Sequence, residues 1–219
     1  MKINHVIGTS FIDYPGEIAM VVFTKGCNMS CPYCHNKDLE SQSSFHDETE
    51  IFAFLEKRRG LVDGIVISGG EPTCHKGLEG FCEKLKAMDI KVKLDTNGTH
   101  PDILKTLIER KLVDYIAMDF KTSPEQYEAL CGIPFSAVEE SVALIKQMPA
   151  YEFRTTVYPT ITTSDIESII AYTGRDHYFL QQYRPNSGFE RPAYEDDLIL
   201  AFGQQLGVSV RGVERIMRD

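Results

Sequence analysis

Several things are scarce in this chain, and each scarcity removes a class of protein. Basic residues do not dominate: 23 Lys plus Arg stand against 32 Asp plus Glu in 219 residues, a formal charge of −9. That balance excludes the broad cationic surface of a non-specific nucleic-acid binder. No apolar run reaches the roughly 18 residues of a spanning helix, and the opening MKINHVIGTSFIDYPG has no continuous apolar stretch before a small-residue cleavage site. The expectation is a cytoplasmic protein with neither nucleic acid nor membrane as a partner. Six cysteines are too few for a disulfide scaffold. Internal repeats, low-complexity tracts and Pro/Gly/Ser-rich linkers are also missing, so a single domain over residues 1–219 is expected.

What is present alternates. Short apolar, β-branched blocks at Ile18–Phe23, Gly64–Ser68, Lys91–Thr96, Tyr115–Phe120, Tyr151–Val157, Tyr178–Tyr183 and, more weakly, Val208–Val210 read as strands. Helical spacing separates them. One helix is expected behind the Asp47-x-x-Glu50 capping box and one behind Thr99 and Pro101; others are expected over Leu78–Met88, Pro124–Leu130, Ala137–Gln147, Asp165–Tyr172 and Glu195–Leu206. Such alternation implies a parallel sheet covered by helices, an α/β fold with the site at the C-terminal ends of the strands. Leu39–Phe45 is a polar loop. Thr160–Ser164 and Pro185–Pro192 read as flexible segments, either of which suits a lid.

The loops leaving the strand ends are dense in chemistry. The first strand runs into Cys27-Asn28-Met29-Ser30-Cys31-Pro32-Tyr33-Cys34, three thiols on one short loop, and soft thiolates at this density suit iron–sulfur or zinc binding. Structural zinc normally takes four protein ligands. His35 follows Cys34 immediately and cannot easily reach the same ion, so three ligands leave one metal position open. The next strands run into Gly69-Gly70-Glu71-Pro72, Asp95-Thr96-Asn97-Gly98 and Asp119-Phe120-Lys121. Alone, each has a plain reading: a strand-to-helix turn, an Asx turn, a solvated loop lysine. Arg154, in an otherwise apolar strand, suits an internal ion pair as well as a ligand contact. Cys74, Cys82 and Cys131 have no C-x2-C pairing and read as ordinary core or surface residues, as do His5, His46, His75, His100 and His177.

Taken together, C-x3-C-x2-C with Tyr33 before its last cysteine, followed by the GGE, D-T-N-G and D-F-K elements, resembles the radical S-adenosylmethionine enzymes, and within them the glycyl-radical activase branch. The resemblance implies a partial (β/α)6 barrel of parallel strands. It implies that Cys27, Cys31 and Cys34 hold a [4Fe–4S] cluster whose fourth iron takes the amino and carboxylate groups of S-adenosylmethionine, with Tyr33 near the adenine. Gly69, Gly70 and Glu71 are then expected at the amino group, and Asp95, Asn97, Asp119 and Lys121 near the carboxylate and ribose, where a monovalent cation can also be held. Arg154 is a candidate for the carboxylate or a partner.

The phrase Thr9-Ser10-Phe11-Ile12-Asp13-Tyr14-Pro15-Gly16 and the extension Cys34-His35-Asn36 resemble the proteins that activate anaerobic ribonucleotide reductase. The implied activity is hydrogen abstraction from a glycine of that partner, fed by a one-electron donor such as flavodoxin or ferredoxin. Residues 36–67 carry no cysteine, so a single cluster is expected. Rival readings are a radical S-adenosylmethionine enzyme acting on a small molecule, of the 7-deazaguanine-forming type, and a non-catalytic iron–sulfur or zinc-binding interaction module.

Overall fold

The computed structural model describes residues 1–34, 46–185 and 191–213. Eight strands form one sheet in chain order: β1 (Ile3–Ser10), β2 (Ala19–Thr24), β3 (Gly64–Gly69), β4 (Lys91–Thr96), β5 (Tyr115–Asp119), β6 (Tyr151–Val157), β7 (Tyr178–Gln182) and β8 (Ser209–Arg211). From β2 to β8 every pairing is parallel. β1 and β8 are the two edges, so the sheet curls without closing. It is the partial barrel expected, enlarged at both ends.

The addition at the start is β1, which the sequence pattern does not disclose. Asn4 and Gly8 interrupt its alternation, and its pairing with β2 is antiparallel, with register shifts after Ile3 and Ile7. Among the described residues seven helices link the strands: α1 (Glu48–Lys57), α2 (Leu78–Ala87), α3 (Pro101–Glu109), α4 (Tyr127–Cys131), α5 (Ser136–Ile145), α6 (Thr163–Thr173) and α7 (Asp196–Leu206). Their ends follow local chemistry. Asp47 caps α1 by accepting from the Thr49 amide, while Glu50 faces His46 at 3.8 Å instead of completing a box. A complete capping box occurs at Thr162 and Asp165, with Ile161 buried beside it, so Thr160–Ser164 is a helix start and not a lid. The expected helix from Pro124 divides into a 3-10 turn (Pro124–Gln126) and α4, which ends at Gly132. Leu39–Phe45 and most of Pro185–Pro192 lie outside the described residues.

The strands' period of two gives the sheet two unlike faces. One carries Ile65, Ile67, Val92, Leu94, Ile116, Met118 and Phe153, all buried in one core with Phe81 and Leu85 of α2, Leu104 and Leu107 of α3, and Ile166 and Ile169 of α6. Each such side chain contributes roughly 1.5–3 kcal/mol when fully buried. The other face has a small apolar cluster of Tyr14, Ala19, Val21 and Val66 near the strand starts. Beyond it the same face turns polar, through Lys93, Asp95, Asp119, Glu152 and Arg154.

Candidate functional site

At the strands' C-terminal ends the cysteine loop lies over the sheet, and its position is set by backbone contacts. The Gly70 amide donates to the Thr24 carbonyl at 2.9 Å and the Glu71 amide to the Gly26 carbonyl at 2.8 Å. These bonds bring the loop after β3 so close to the loop after β2 that no side chain fits between them. A Cβ on Gly69 would stand 2.3 Å from the Thr24 nitrogen, and one on Gly70 would stand 2.0 Å from the Gly26 carbonyl oxygen. Gly69 also has φ +113°, a conformation that favours glycine. The two glycines therefore have a role the sequence does not reveal: they seat the cysteine loop.

Glu71 is fully buried. Its Oε1 accepts from the Thr73 amide (3.1 Å), the Thr73 hydroxyl (2.6 Å) and the Thr96 hydroxyl (2.7 Å), and its Oε2 from the Asn97 amide (2.6 Å). Burial pushes this carboxyl up, and the bonds oppose the rise. Glu71 is thus a brace between the loops after β3 and β4, with one oxygen that accepts a single bond. Asn97 extends the brace: its side-chain amide donates to Asn28 Oδ1 at 3.0 Å and approaches Cys27 Sγ at 3.8 Å.

Tyr33 is buried and stacks on Tyr158 with ring centroids 4.4 Å apart. Its hydroxyl donates to the Lys121 carbonyl at 2.6 Å, and the Lys121 amide donates to Tyr127. The ring lines the pocket while pinning the cysteine loop to the loop after β5. Cys131, read from sequence as ordinary, is buried at the end of α4 with its sulfur 4.0 Å from Cys31 Sγ. That contact holds the Cys31 thiol low, whereas burial pushes the Cys27 thiol up to about 11. Cys82 is buried in the core and Cys74 is exposed.

Beneath the loops lies a connected set of charges. Asp95 takes Lys93 Nζ at 2.5 Å and Arg154 Nη1 at 3.4 Å; Asp119 takes Arg154 Nε at 2.7 Å and Lys121 Nζ at 3.0 Å. Arg154 also approaches Glu152 at 3.8 Å, which Arg211 and the Tyr115 hydroxyl approach in turn, each at 2.9 Å. Burial raises both aspartates, but Arg154, with Lys93 on one and Lys121 on the other, holds them below the usual carboxylate range. Arg154 forms the internal ion pairs that its place in an apolar strand suits.

The predicted residues converge with that one exception. Cys27, Cys31, Tyr33, Cys34, Gly69, Gly70, Glu71, Asp95, Asn97, Asp119 and Lys121 line one pocket of about 190 Å³. Arg154 does not line it and supports Asp95 and Asp119 from below. Sequence reasoning missed Met29, Ser68, Thr96, Thr156 and Gln181 on its walls. The signal for the last two was available: both are polar residues at the ends of strands, β6 and β7. The Thr9–Gly16 phrase is elsewhere. Ser10 pairs with Ala19 at the start of β2, so the phrase turns at the opposite end of the sheet, with Phe11 74% and Ile12 88% exposed. His35 and Asn36 lie outside the described residues.

The donor set fits a cluster. Among the described residues no three His, Cys, Asp or Glu side chains meet as ligands of one ion. A cubane instead takes one thiolate on each of three irons, leaving the fourth iron for another ligand. The three cysteines share the pocket, with carboxylates and a lysine facing them.

Comparison with known proteins points the same way. Residues 21–173 match the family described as the Radical SAM superfamily. A Methanocaldococcus jannaschii protein named as a glycyl-radical enzyme activating enzyme is 33% identical over 206 residues, covering 86% of this chain and 82% of its own length. The 7-carboxy-7-deazaguanine synthase of Bacillus subtilis is 36% identical over 43% of this chain and 41% of its own. Streptococcus suis SuiB bound to S-adenosylmethionine superposes with a TM-score of 0.64 at 14% identity, covering 85% of this chain and 48% of that one, a likeness of fold.

Proposed function

Because the chain belongs to the radical SAM superfamily, whose enzymes use a [4Fe–4S] cluster and S-adenosylmethionine, we propose that it activates a glycyl-radical enzyme and that the partner is anaerobic ribonucleotide reductase. Cys27, Cys31 and Cys34 would hold the cluster at the mouth of the pocket. Bound together, the cluster and S-adenosylmethionine would supply one-electron chemistry and the hydrogen-abstracting power that the reaction needs. The chain's own residues do the rest.

Lys121 and the Asp95/Asp119 pair offer opposite charges to a zwitterionic amino acid carrying a sulfonium. They are fixed before the ligand arrives by Arg154 and Lys93, so little reorganisation accompanies binding. The Glu71 and Asn97 brace and the Tyr33 anchor hold the cysteine loop against three strand ends. In this reading a loop of another protein enters at the mouth of the pocket, and the ordered walls keep water from a reactive radical.

The observation that carries the activase reading is the end-to-end likeness to the named activating enzyme, against a likeness to the deazaguanine synthase over less than half of each chain. The Thr9–Gly16 phrase supports the choice of reductase. We read the chain as one domain, since one sheet runs from Ile3 to Arg211. Among the described residues no helix is long and apolar enough to cross a membrane, and we assign the protein to the cytoplasm. The test is anaerobic reconstitution followed by reductant and S-adenosylmethionine. 5′-Deoxyadenosine should form and should fail to form in Cys27→Ala, and a glycyl radical should appear by electron paramagnetic resonance on added anaerobic ribonucleotide reductase. Cleavage with no radical on that reductase would overturn the partner; cleavage coupled to formation of a 7-carboxy-7-deazaguanine product would favour the deazaguanine-forming reading.

A further inference from the structure

Just past Gly98, the loop after β4 meets the cysteine loop again. Thr99 does not line the pocket, yet its hydroxyl donates to Asn97 Oδ1 at 2.7 Å and accepts from Asn28 Nδ2 at 2.7 Å. Asn97 Nδ2 donates to Asn28 Oδ1 at 3.0 Å, which closes a ring of three side chains. Asn28 follows Cys27 directly. Such a ring could run in either sense, because each member both donates and accepts. The Thr99 backbone amide decides the sense: it can only donate, and it donates to Asn97 Oδ1 at 3.1 Å. His100 offers the hydroxyl no rival acceptor. Its Nδ1 lies 3.4 Å from Thr99 Oγ1 but 2.9 Å from Thr73 Oγ1, whose own proton goes to the buried Glu71 carboxylate at 2.6 Å, so His100 presents an N–H there.

With Oδ1 turned to two donors of Thr99, the Asn97 amide nitrogen faces the other way, toward Asn28 Oδ1 and toward Cys27 Sγ at 3.8 Å. All four of its hydrogen-bonding positions are then accounted for. We propose that Thr99 is a positioning residue: with Asn28 it locks the Asn97 side chain as an N–H donor to the sulfur of Cys27, and so sets the reduction potential of the cluster that Cys27 helps to hold. The inference rests on the reading of Cys27 as a cluster ligand. An N–H aimed at a ligand sulfur favours the reduced cluster, which carries one more negative charge, over the oxidised one. A reversed amide would aim its oxygen at that sulfur and do the opposite. Hydrogen bonds that all run in one sense around a ring also strengthen one another, so the lock is firmer than its separate bonds.

The experiment is a redox titration of the reconstituted protein without S-adenosylmethionine, followed by electron paramagnetic resonance of the reduced cluster. Thr99→Val keeps the shape of the side chain and removes the hydroxyl. Its midpoint should move to more negative potential, and Thr99→Ser, which keeps the hydroxyl, should hold the wild-type value. Asn28→Ala opens the same ring from the cysteine loop and should shift the midpoint in the same direction. The double variant Thr99→Val/Asn97→Ala should titrate with Asn97→Ala alone, since Thr99 acts through Asn97. A wild-type midpoint in Thr99→Val would overturn the proposal; if that variant holds no cluster, Asn28→Ala decides on the same terms. Shifts that add in the double variant would also overturn it, as would an equal shift in Thr99→Ser, which would make the effect one of packing. The ligand reading beneath it fails separately, by a full cluster of wild-type midpoint in Cys27→Ala. A wild type that gives no 5′-deoxyadenosine while the variants shift as expected would remove the catalytic reading and leave the positioning role standing.

Discussion

Replacing Gly70 by alanine perturbs the cysteine loop itself. The added Cβ would lie 2.0 Å from the Gly26 oxygen and 2.6 Å from its carbonyl carbon, backbone atoms that cannot rotate away. The two loops must separate, and separation strains the bonds from the Gly70 amide to Thr24 and from the Glu71 amide to Gly26. Each bond contributes roughly 0.5–1.5 kcal/mol, and overpacking in a tight region costs about 1–3 kcal/mol. The combined cost is therefore about 2–6 kcal/mol, which for a chain of this length lowers Tm by at least ~4 °C. Since Gly26 precedes Cys27, the same displacement moves a cluster ligand. Gly70→Ala should then bind less iron and sulfide after anaerobic reconstitution, in addition to losing affinity for S-adenosylmethionine. A variant with full iron, full sulfide and an unchanged Tm, impaired only in binding S-adenosylmethionine, would refute the seating role and restore the simpler idea that the glycine merely makes room for the ligand.

Other expectations follow from the braces around the pocket. Tyr33→Phe keeps the stack on Tyr158 but loses the bond to the Lys121 carbonyl, so thermal melting should show a loss of about 0.5–1.5 kcal/mol with the cluster retained; no change in Tm would count against the anchor. Asn97→Ala removes the amide beside Cys27 Sγ. Hydrogen bonds to cluster sulfurs set the potential, so an electron paramagnetic resonance titration should find the midpoint more negative, and an unmoved midpoint would detach Asn97 from the sulfur. Arg154→Met leaves Asp95 and Asp119 without their shared cation. Breaking a buried pair costs about 3–5 kcal/mol, and Asp119 is 29% exposed, so urea unfolding at pH 7 should place the loss at or below the lower end.

The same aspartates give the wild type an acid-sensitive stability. Their folded pKa values are depressed below the roughly 3.9 of an unfolded aspartate. As the pH falls, the unfolded chain takes up these protons first. The stabilisation is therefore fully present above about pH 5 and is lost as the pH falls toward the folded values. Urea midpoints measured from pH 7 to pH 3 should drop in the wild type and drop less in Arg154→Met; parallel curves would mean that these carboxylates do not carry the acid response.

Much of this architecture is legible from the chain because two signals are local. Parallel strands covered by helices show as apolar blocks, and β3, β4, β5, β6 and β7 all begin at the residue where their block begins. Motif residues at strand ends show because turns and charges interrupt those blocks. What stayed hidden depends on partners distant in sequence. β1 is held to β2 across a turn by antiparallel pairing, and its own alternation is broken by Asn4 and Gly8. Cys131 meets Cys31 from one hundred residues away, and Tyr158 meets Tyr33 from further still. Neither has a spacing to read.

Arg154 shows how one buried cation organises the charges at the strand ends. Its strand position predicts that it faces the polar side of the sheet, and it does, beside Asp119 in the register between β5 and β6. Its guanidinium pairs through Nε and Nη1 with Asp95, Asp119 and Glu152, a residue whose own remaining partners are Arg211 and Tyr115. Burying so many charges is costly unless each is paired. Charge pairing is the property that fixes Asp95, Asp119 and Lys121 at the pocket before any ligand enters, and a lysine or methionine at position 154 could not supply it, since only a planar fork reaches both aspartates at once.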